Sequence, residues 1–360
     1  MNFGLPVLVV FIGFGIGLWL LSHIVEALRP VPRKPNTLRW APHIPIEYVD
    51  IGGCRLRYIK AGQGPNLVLL HSIRTQLDLF EKVVPELAKY FTVYALDSPG
   101  HGYSDIPQAR YDADFFADFV EGFLSALDLR DVTLSGVSIG GAIPLIIAGR
   151  RNPRVTCVVA INPYDYAKGR GMARSSLLGW MITVTSQIPV IGETVMRLRN
   201  FTIMKAVLRG GVANPKSIPP GLLQEMYEVG NRPWHYRAFI SLLRNAASWE
   251  VSTKTYEKIN VPVRLVWGEK DWARPSEREH ERWLLSGAQM VTVEDGGHFL
   301  SLDRPDAVIE QLKMITGSSG MTAPPYTTTA SRTTMNRRSE VGSLRRKRHQ
   351  HDSKVEIVER

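Results

Sequence analysis

Short apolar runs alternate with longer amphipathic stretches through most of the chain. A hairpin signal stands first, because strand-like segments flank Gly52-Gly53 on both sides. The later apolar runs are 67–70, 91–96, the run that begins at 132 and leads into Gly136, 155–161, 261–267 and 289–293, and helical stretches are expected at 80–90 and 112–127. Strands that are buried on both faces and separated by helices pair in parallel. The pattern therefore predicts an α/β fold, with a mostly parallel central sheet and helices on both faces, over residues 46–315.

The alternation stops between about residues 164 and 249. Helix formers, apolar side chains and several methionines fill this segment, and no buried strand is predicted in it. We interpret the segment as a helical cap over the C-terminal edge of the sheet, where open α/β sheets bind their ligands. The alternative is a set of ordinary packing helices that shape no pocket.

The first hydrophobic segment is of a different kind. Residues 3–21 contain no charged side chain, and Trp19 stands near their end. About 20 apolar residues suffice to cross a bilayer as a helix, so we predict an uncleaved transmembrane anchor over residues 1–28. A cleaved signal peptide is disfavoured by the absence of a basic start and of a small-x-small site before Arg29. A buried core helix is a second alternative, although it would be unusually long and apolar.

The segment after the anchor is rich in proline and in basic residues. Residues 29–45 contain five prolines, which predict an extended linker that holds the body off the membrane. Its basic residues are Arg29, Arg33, Lys34 and Arg39. By the positive-inside rule, this cluster predicts a single-pass membrane protein whose main domain lies in the cytoplasm.

Residues 316–360 differ in composition from the rest of the chain. They are rich in Ser, Thr and basic residues, and from Gly317 onward there are nine Lys/Arg against four Asp/Glu. Such a segment cannot bury enough apolar surface to fold, so we predict a disordered basic tail. Much of the formal net charge of +10 therefore lies near the termini. Because no recognition motif accompanies it, we expect no nucleic-acid partner.

The candidate nucleophile lies between the apolar run that begins at Val132 and a following helix. There the chain reads Gly136-x-Ser138-x-Gly140-Gly141. A sharp strand-to-helix turn would bring the backbones at the two outer glycines into contact and would expose the serine hydroxyl. The helix N-terminus would favour the negative charge that develops when the serine attacks. The motif alone also arises by chance, so the interpretation depends on partners elsewhere in the chain.

A serine hydroxyl needs a base, and the base needs a partner that orients it. His298 follows the last predicted strand on a glycine-rich loop, and Asp271 follows the strand before it. The order Ser138, Asp271, His298 is the order expected for this kind of strand–turn–helix nucleophile. Asp165, after the preceding strand, is the alternative acid.

Together with Leu70-His71, Asp97-x-Pro-Gly-x-Gly-x-Ser104 and Gly297-His298-Phe299, these motifs resemble the α/β-hydrolase superfamily, in its serine esterase and lipase branch. The resemblance covers residues 46–315. It implies Ser138 as nucleophile, His298 as general base and acid, and Asp271 as its orienting partner. It also implies an oxyanion hole formed by the backbone N–H groups of Ile139 and Ile73. The family usually has glycine where Ser72 stands, which makes the Ile73 assignment the weaker of the two.

The predicted function is that of a membrane-anchored serine hydrolase acting on an ester, in particular an apolar or lipid-like one. The serine nucleophile argues against relatives that hydrolyse epoxides or haloalkanes through an aspartate. A C–C bond hydrolase, an acyltransferase or a perhydrolase with the same triad, and a non-catalytic membrane-tethered scaffold, are the alternatives. The two cysteines, Cys54 and Cys157, suggest no disulfide framework and no metal site. We therefore expect no metal and no organic cofactor.

Overall fold

A computed structural model describes residues 4–316, and the predicted tail lies outside the described residues apart from Thr316. Eight strands form one sheet in the order β1-β2-β4-β3-β5-β6-β7-β8. The strands are β1 Ile46–Ile51, β2 Cys54–Ala61, β3 Asn66–Leu70, β4 Thr92–Leu96, β5 Val132–Val137, β6 Val155–Ile161, β7 Val263–Gly268 and β8 Gln289–Val293. The pairs β1–β2 and β2–β4 are antiparallel, and all the others are parallel. The predicted α/β fold with a mostly parallel sheet is confirmed.

Both faces of the sheet are covered, as the wholly apolar strands require. In β3, Leu67 and Leu69 belong to one buried apolar cluster, whereas Val68 and Leu70 belong to the other. Successive side chains of a strand point to opposite faces, so the two clusters are the cores above and below the sheet. The hairpin β1–β2 turns at Gly52 and Gly53, whose φ angles of 60° and 82° favour glycine.

The helices of the α/β domain are α2 Val84–Leu87, α3 Ala113–Ala126, α4 Ile139–Gly149, α10 Ala247–Ser252, α11 Pro275–Leu284, α12 Leu300–Asp303 and α13 Pro305–Thr316. The predicted helix at 112–127 forms as α3, with Asp112 accepting a hydrogen bond from the Phe115 N–H at its N-terminus. The prediction of a helical stretch at 80–90 is wrong in its extent, because the helical turns there are shorter. That segment contains the end of a 3₁₀ turn, Leu77–Phe80, and the single turn α2. Pro85 stands in the first turn of α2. Backbone N–H groups in the first turn of a helix have no intrahelical acceptor, so the missing N–H of proline costs no hydrogen bond there.

Between residues 164 and 249 the described structure contains helices and turns but no strand. The helices that begin in this segment before α10 are α5 Leu177–Ser186, α6 Ile191–Arg197, α7 Phe201–Arg209, α8 Pro220–Gly230 and α9 His235–Arg244. We refer to α5–α9 as the cap. The loops that follow β6 and β7 contact it, since Trp272 donates a hydrogen bond from its indole nitrogen to the Gly210 carbonyl at 2.9 Å.

The N-terminal helix α1 spans Gly4–Ala27. By length and composition it could cross a membrane, and only 6% of its most apolar window is buried. Residues 29–45 do not hold the body at a distance from this helix. Leu38, Ala41 and Ile44 are buried in the core, and the last turns of α1 contact the cap through Ser22 and Glu26.

Candidate active site

Ser138 occupies the turn between β5 and α4. Its φ of 66° and ψ of −124° are unusual for a residue with a side chain. A Cβ atom at Gly136 would collide with the carbonyl oxygens of Gly140 and Leu70, and one at Gly140 would collide with that of Leu70. The glycines of the motif are therefore required by close backbone contact, as the sequence suggested, and the tight turn keeps Ser138 in its strained conformation.

His298 and Asp271 meet at the same edge of the sheet. The Nδ1 atom of His298 lies 2.6 Å from Oδ2 of Asp271, and both side chains are shielded from solvent. The other carboxylate oxygen of Asp271 accepts a hydrogen bond from the Ala273 N–H at 2.7 Å. An aspartate held in this way fixes the imidazole tautomer with a proton on Nδ1, which leaves Nε2 available to accept a proton.

Asn162 follows β6 and connects it by hydrogen bonds to the end of β7 and to the loop that carries His298. The sequence patterns did not single it out. Its amide nitrogen donates hydrogen bonds to the carbonyl oxygens of Gly297 and His298 at 3.0 and 2.9 Å. Its amide oxygen accepts one from the Gly268 N–H at 2.7 Å. A polar residue directly after the buried run 155–161, at the carboxyl edge of a parallel sheet, was the available signal.

Two aromatic residues enclose the imidazole. The ring of Trp272 stacks on His298 with centroids 3.8 Å apart and an interplanar angle of 14°. Tyr164 meets the same imidazole edge-on at 5.9 Å, and its backbone N–H donates to the Ser138 carbonyl at 3.2 Å. The loop after β6 therefore contacts both Ser138 and His298, and places them at one rim of the sheet.

Within residues 4–316, neither Oγ of Ser138 nor Nε2 of His298 has a hydrogen-bond partner, although both atoms are buried. Buried polar atoms are normally satisfied, and the exceptions are common where a substrate completes the site. Access for a substrate requires movement of the cap or of the Trp272 loop, because Ser138 and His298 are fully covered.

The predicted oxyanion donors lie on two different loops. Ile139 is the first residue of α4, so its N–H has no intrahelical acceptor. Ile73 follows β3, and the loop is held by His71, whose Nε2 accepts from the Ser98 N–H at 2.9 Å while Nδ1 lies 2.8 Å from the Ser72 carbonyl. Burial lowers the pKa of His71, in keeping with a neutral imidazole in this role. Ser72 does not need a positive φ, so serine is accommodated where the family usually has glycine.

The alternative acid, Asp165, does not contact the imidazole. Its carboxylate accepts a hydrogen bond from the Tyr256 hydroxyl at 2.5 Å and faces Glu281. Burial raises the pKa of Asp165 to about 6, and the hydrogen bond from Tyr256 opposes the rise. Of the two candidate acids, Asp271 is the one that the fold brings to His298.

The Asp97 motif has a structural role. Asp97 accepts hydrogen bonds from the backbone N–H groups of Leu77 and Tyr103, at 2.7 and 2.8 Å, and forms a buried ion pair with Arg57 at 3.2 Å. A Cβ atom at Gly102 would collide with this carboxylate. The motif therefore packs the loops beside the site. No group of three or more His, Cys, Asp or Glu in the described part of the chain is arranged to bind a metal.

Comparisons with known proteins identify the fold that carries this site. A sequence model of the alpha/beta hydrolase fold matches residues 65–305. An uncharacterised protein of Mycobacterium tuberculosis is 27% identical over 279 residues, which make up 74% of this chain and 79% of that protein. The 2-(acetamidomethylene)succinate hydrolase of Mesorhizobium japonicum is 34% identical over 124 residues, 34% of this chain and 45% of that enzyme.

Among solved structures, Cfl2 of Burkholderia cenocepacia superposes with a TM-score of 0.69 at 19% identity, over 79% of this chain and 99% of Cfl2. At this identity the likeness shows the fold alone.

Proposed function

The chain belongs to the α/β-hydrolase family, and on that premise we propose that it is a membrane-anchored serine hydrolase that cleaves carboxylic esters, in particular apolar or lipid-like ones. The observation that supports this most directly is the buried His298, held by Asp271 at 2.6 Å with its Nε2 unpartnered among the described residues. Ser138, at the strained turn on the same rim, is the nucleophile in this proposal.

The proposed reaction proceeds through an acyl-enzyme. Oγ of Ser138 attacks the ester carbonyl carbon while Nε2 of His298 accepts its proton, and the N–H groups of Ile139 and Ile73 stabilise the oxyanion. The tetrahedral intermediate collapses, the C–O bond to the alcohol breaks, and His298 returns the proton to the leaving oxygen. Water then attacks the acyl-serine with His298 again as base, and the acid is released.

Two features support a membrane-associated ester as substrate. The helix α1 is long and apolar enough to span a bilayer. Met172 precedes the cap and Met196 and Met226 lie in it, all three are buried, and methionine adapts to irregular apolar ligands. The basic residues that follow the helix support a cytoplasmic position for the main domain.

The first test replaces the nucleophile. Ser138→Ala is expected to abolish both hydrolysis of short nitrophenyl esters and labelling by a fluorophosphonate, because no other group supplies the attacking oxygen. Ser135→Ala is the matched control, since Ser135 is equally buried and lies three residues earlier, within β5. Persistent labelling of Ser138→Ala would place the nucleophile elsewhere.

Arg74 favours a second candidate, a hydrolase of the same fold whose substrate bears an anionic group. Arg74 directly follows Ile73. Its guanidinium lies 3.3 Å from Nδ1 of His235 and over the ring of Phe239 at 4.7 Å. None of the ion pairs within residues 4–316 includes Arg74, and Glu26, the carboxylate that acts on it at longer range, is paired with Arg29 and Arg199.

Burial, and then the positive charges of Arg199 and Arg29, lower the pKa of Arg74. Arg74 is half-buried, and a cation that is partly withdrawn from water is stabilised by an anionic ligand. The Mesorhizobium relative is named for a succinate, which bears carboxylates. Ester hydrolysis and C–C bond hydrolysis of such acids both fit this arrangement.

A pair of substrates separates the two candidates. If the substrate is anionic, nitrophenyl hemisuccinate should be cleaved faster than nitrophenyl butyrate, and Arg74→Met should raise KM roughly tenfold for the hemisuccinate alone. Equal effects of Arg74→Met on both esters would assign Arg74 a packing role and leave the neutral ester as the preferred substrate class.

A further inference from the structure

The cap has an outer face without charge. From Ser175 to Gly192 the chain contains no Asp, Glu, Lys or Arg. This stretch includes all of α5 and the start of α6, and many of its apolar side chains are solvent-exposed. Leu177 is 75% exposed, Val190 58%, Trp180 51% and Ile191 49%. We call the set of exposed apolar residues Leu177, Trp180, Met181, Val184, Ile188, Val190, Ile191 and Val195 the apolar face.

A surface helix of a soluble domain normally presents charged and polar side chains to water. The helix α11 shows the ordinary case, with a sequence dominated by Glu, Arg and His. Exposed apolar patches of more than a few hundred Å² mark contact surfaces in most soluble proteins. We therefore expect the apolar face to be covered by another molecule or by a lipid surface.

The C-terminal end of the N-terminal helix α1 contacts the cap next to the apolar face. Among its described side chains, residues 7–21 are all exposed, and Ser22 and Glu26 are buried against the cap. The neighbour of α1 in the cap is α6, and α6 in turn packs against α5. Nη1 of Arg197, the last residue of α6, lies 3.4 Å from Oγ of Ser22. The exposed apolar side chains of α1 and of the cap consequently lie on neighbouring helices.

A buried ion-pair network fixes this junction. Oε2 of Glu26 lies 2.7 Å from Nη1 of Arg199 and 2.9 Å from Nε of Arg29. Oε1 of Glu26 accepts a hydrogen bond from the Trp234 N–H at 2.7 Å, and Arg29 donates to Oδ1 of Asn231 at 2.6 Å. Since every partner except Arg29 belongs to the cap or its loops, the last turns of α1 and the cap form one connected unit.

The length of α1 sets the distance between the cap and a bilayer. Its 24 residues correspond to about 36 Å at 1.5 Å per residue. A hydrocarbon core of about 30 Å leaves roughly one helical turn, and that turn is the one held by Glu26. There is no free length of helix between the bilayer and the cap.

We propose that the apolar face of the cap lies in the interfacial layer of the same bilayer that α1 spans, as a second, monotopic membrane contact. This inference rests on the proposed membrane anchoring and names the lipid surface as the occupant of the face. Exposed Trp180 on α5, Trp234 beside Glu26 and Trp19 on α1 suit the interface, where tryptophan is enriched. Apolar side chains that enter this layer gain burial in proportion to their area.

The test uses an environment-sensitive NBD label on single introduced cysteines in the full-length chain, reconstituted into phosphatidylcholine vesicles that contain lipid-chain quenchers. Val184→Cys reports on the apolar face, Val10→Cys on α1, and Trp283→Cys on an exposed tryptophan of α11 outside the face. Labelled wild type gives the background from Cys54 and Cys157. Positions 10 and 184 are expected to be quenched, and position 283 is not.

The other possible quenching patterns separate the contact of the cap from the anchor. Quenching at position 10 without quenching at 184 overturns the inference and leaves the anchor standing. No quenching at either position removes the anchor itself, while fluorophosphonate labelling of Ser138 still reports the hydrolase separately. A dimer that protects position 184 from the quenchers would assign the face to a second copy of the chain.

A functional measurement complements the labels. Val184→Glu combined with Ile188→Glu places two charges on the face, and the hydrolysis of an ester embedded in vesicles should fall roughly tenfold. Hydrolysis of soluble nitrophenyl acetate should be unchanged, which also shows that the variant is folded. An equal loss with both substrates, or no loss with either, contradicts the proposed contact.

Discussion

Two carboxylates follow neighbouring strands of the sheet and have opposite surroundings. Asp271, after β7, accepts from backbone and imidazole N–H groups, so its negative charge is stabilised. Asp165, after β6, accepts a hydrogen bond from a tyrosine hydroxyl and faces a second buried carboxyl group, Glu281, and burial raises its pKa to about 6. Their positions along the chain are similarly suited to a catalytic acid. The difference lies in which donors the fold brings to each one.

The comparison shows that a strand-end carboxylate becomes an orienting group only when donors converge on it. Burial and the carboxyl of Asp165 raise the pKa of Glu281, so a proton is retained between these two acids. Glu281 thus brings this pair to the buried side of α11, whereas Asp271 holds the imidazole of His298. Four substitutions around these two strand ends test the difference between Asp271 and Asp165, and we give them from the largest expected effect to the smallest.

The largest effect is expected for Asp271→Asn. The amide cannot hold His298 with its proton on Nδ1, so kcat for nitrophenyl esters should fall by about 10⁴ with little change in folding. Asp165→Asn is the matched control at the neighbouring strand, and its kcat should stay within about threefold of wild type. Similar losses in the two variants would show that the assignment of Asp271 is wrong.

Asn162→Ala should be next in size, because Asn162 joins the two strand ends. The substitution leaves the carbonyl groups of Gly297 and His298 and the N–H of Gly268 without partners, at a cost of about 3 kcal/mol in unfolding free energy. The rate should also fall, since the His298 loop is released. Asn66→Ala, which removes one bond to the Arg130 carbonyl near the surface, is expected to cost less than about 1 kcal/mol. Thermal unfolding in detergent micelles measures both.

The pH dependence of stability should show whether Asp165 and Glu281 interact in the folded protein. The folded-state pKa of Asp165, about 6, lies above its unfolded value of 3.8. Its contribution is therefore complete below pH 3.8 and is lost as the pH rises through about 6. Glu281→Gln removes a carboxyl whose folded-state pKa is raised by burial and by Asp165, so the melting temperature should decline less between about pH 5 and about pH 8 than in wild type. Parallel curves would mean that the two groups do not interact.

The smallest effect is expected for Trp272→Phe. Phenylalanine keeps an aromatic ring over His298 but loses the hydrogen bond to Gly210, so stability should fall by about 1 kcal/mol. Esterase activity should change by less than about tenfold. Trp283→Phe, on an exposed face of α11, is the control and should be neutral. A loss as large as that of Asp271→Asn would give Trp272 a direct part in the reaction.

The sequence predicted the sheet and the geometry of Ser138 well, because both depend on local patterns. Wholly apolar runs define the strands, and the glycines around Ser138 are fixed by contacts within one turn. It also placed Asp271 and His298 at strand ends and preferred Asp271 to Asp165 as the partner of His298. Asn162 and Trp272 act through contacts with residues far away in the chain, and local spacing does not reveal such contacts.

The N-terminal region shows the same limit. The apolar pattern predicted α1, and the prolines suggested a spacer between it and the body. The buried pairing of Glu26 with Arg199, 173 positions away, cannot be read from proline content. The sequence therefore predicted the presence of the helix but not its attachment to the cap.

That attachment links the domain to the thickness of the lipid in which it would reside. A helix on a flexible tether can tilt alone when its hydrophobic length exceeds that of the bilayer, at a cost of fractions of a kcal/mol per Å. Here Glu26 couples α1 to the cap, so any tilt of the helix also rotates the cap above Ser138. Membranes of different composition would then present the catalytic rim at different angles, and lipid composition would act as a regulator of substrate access.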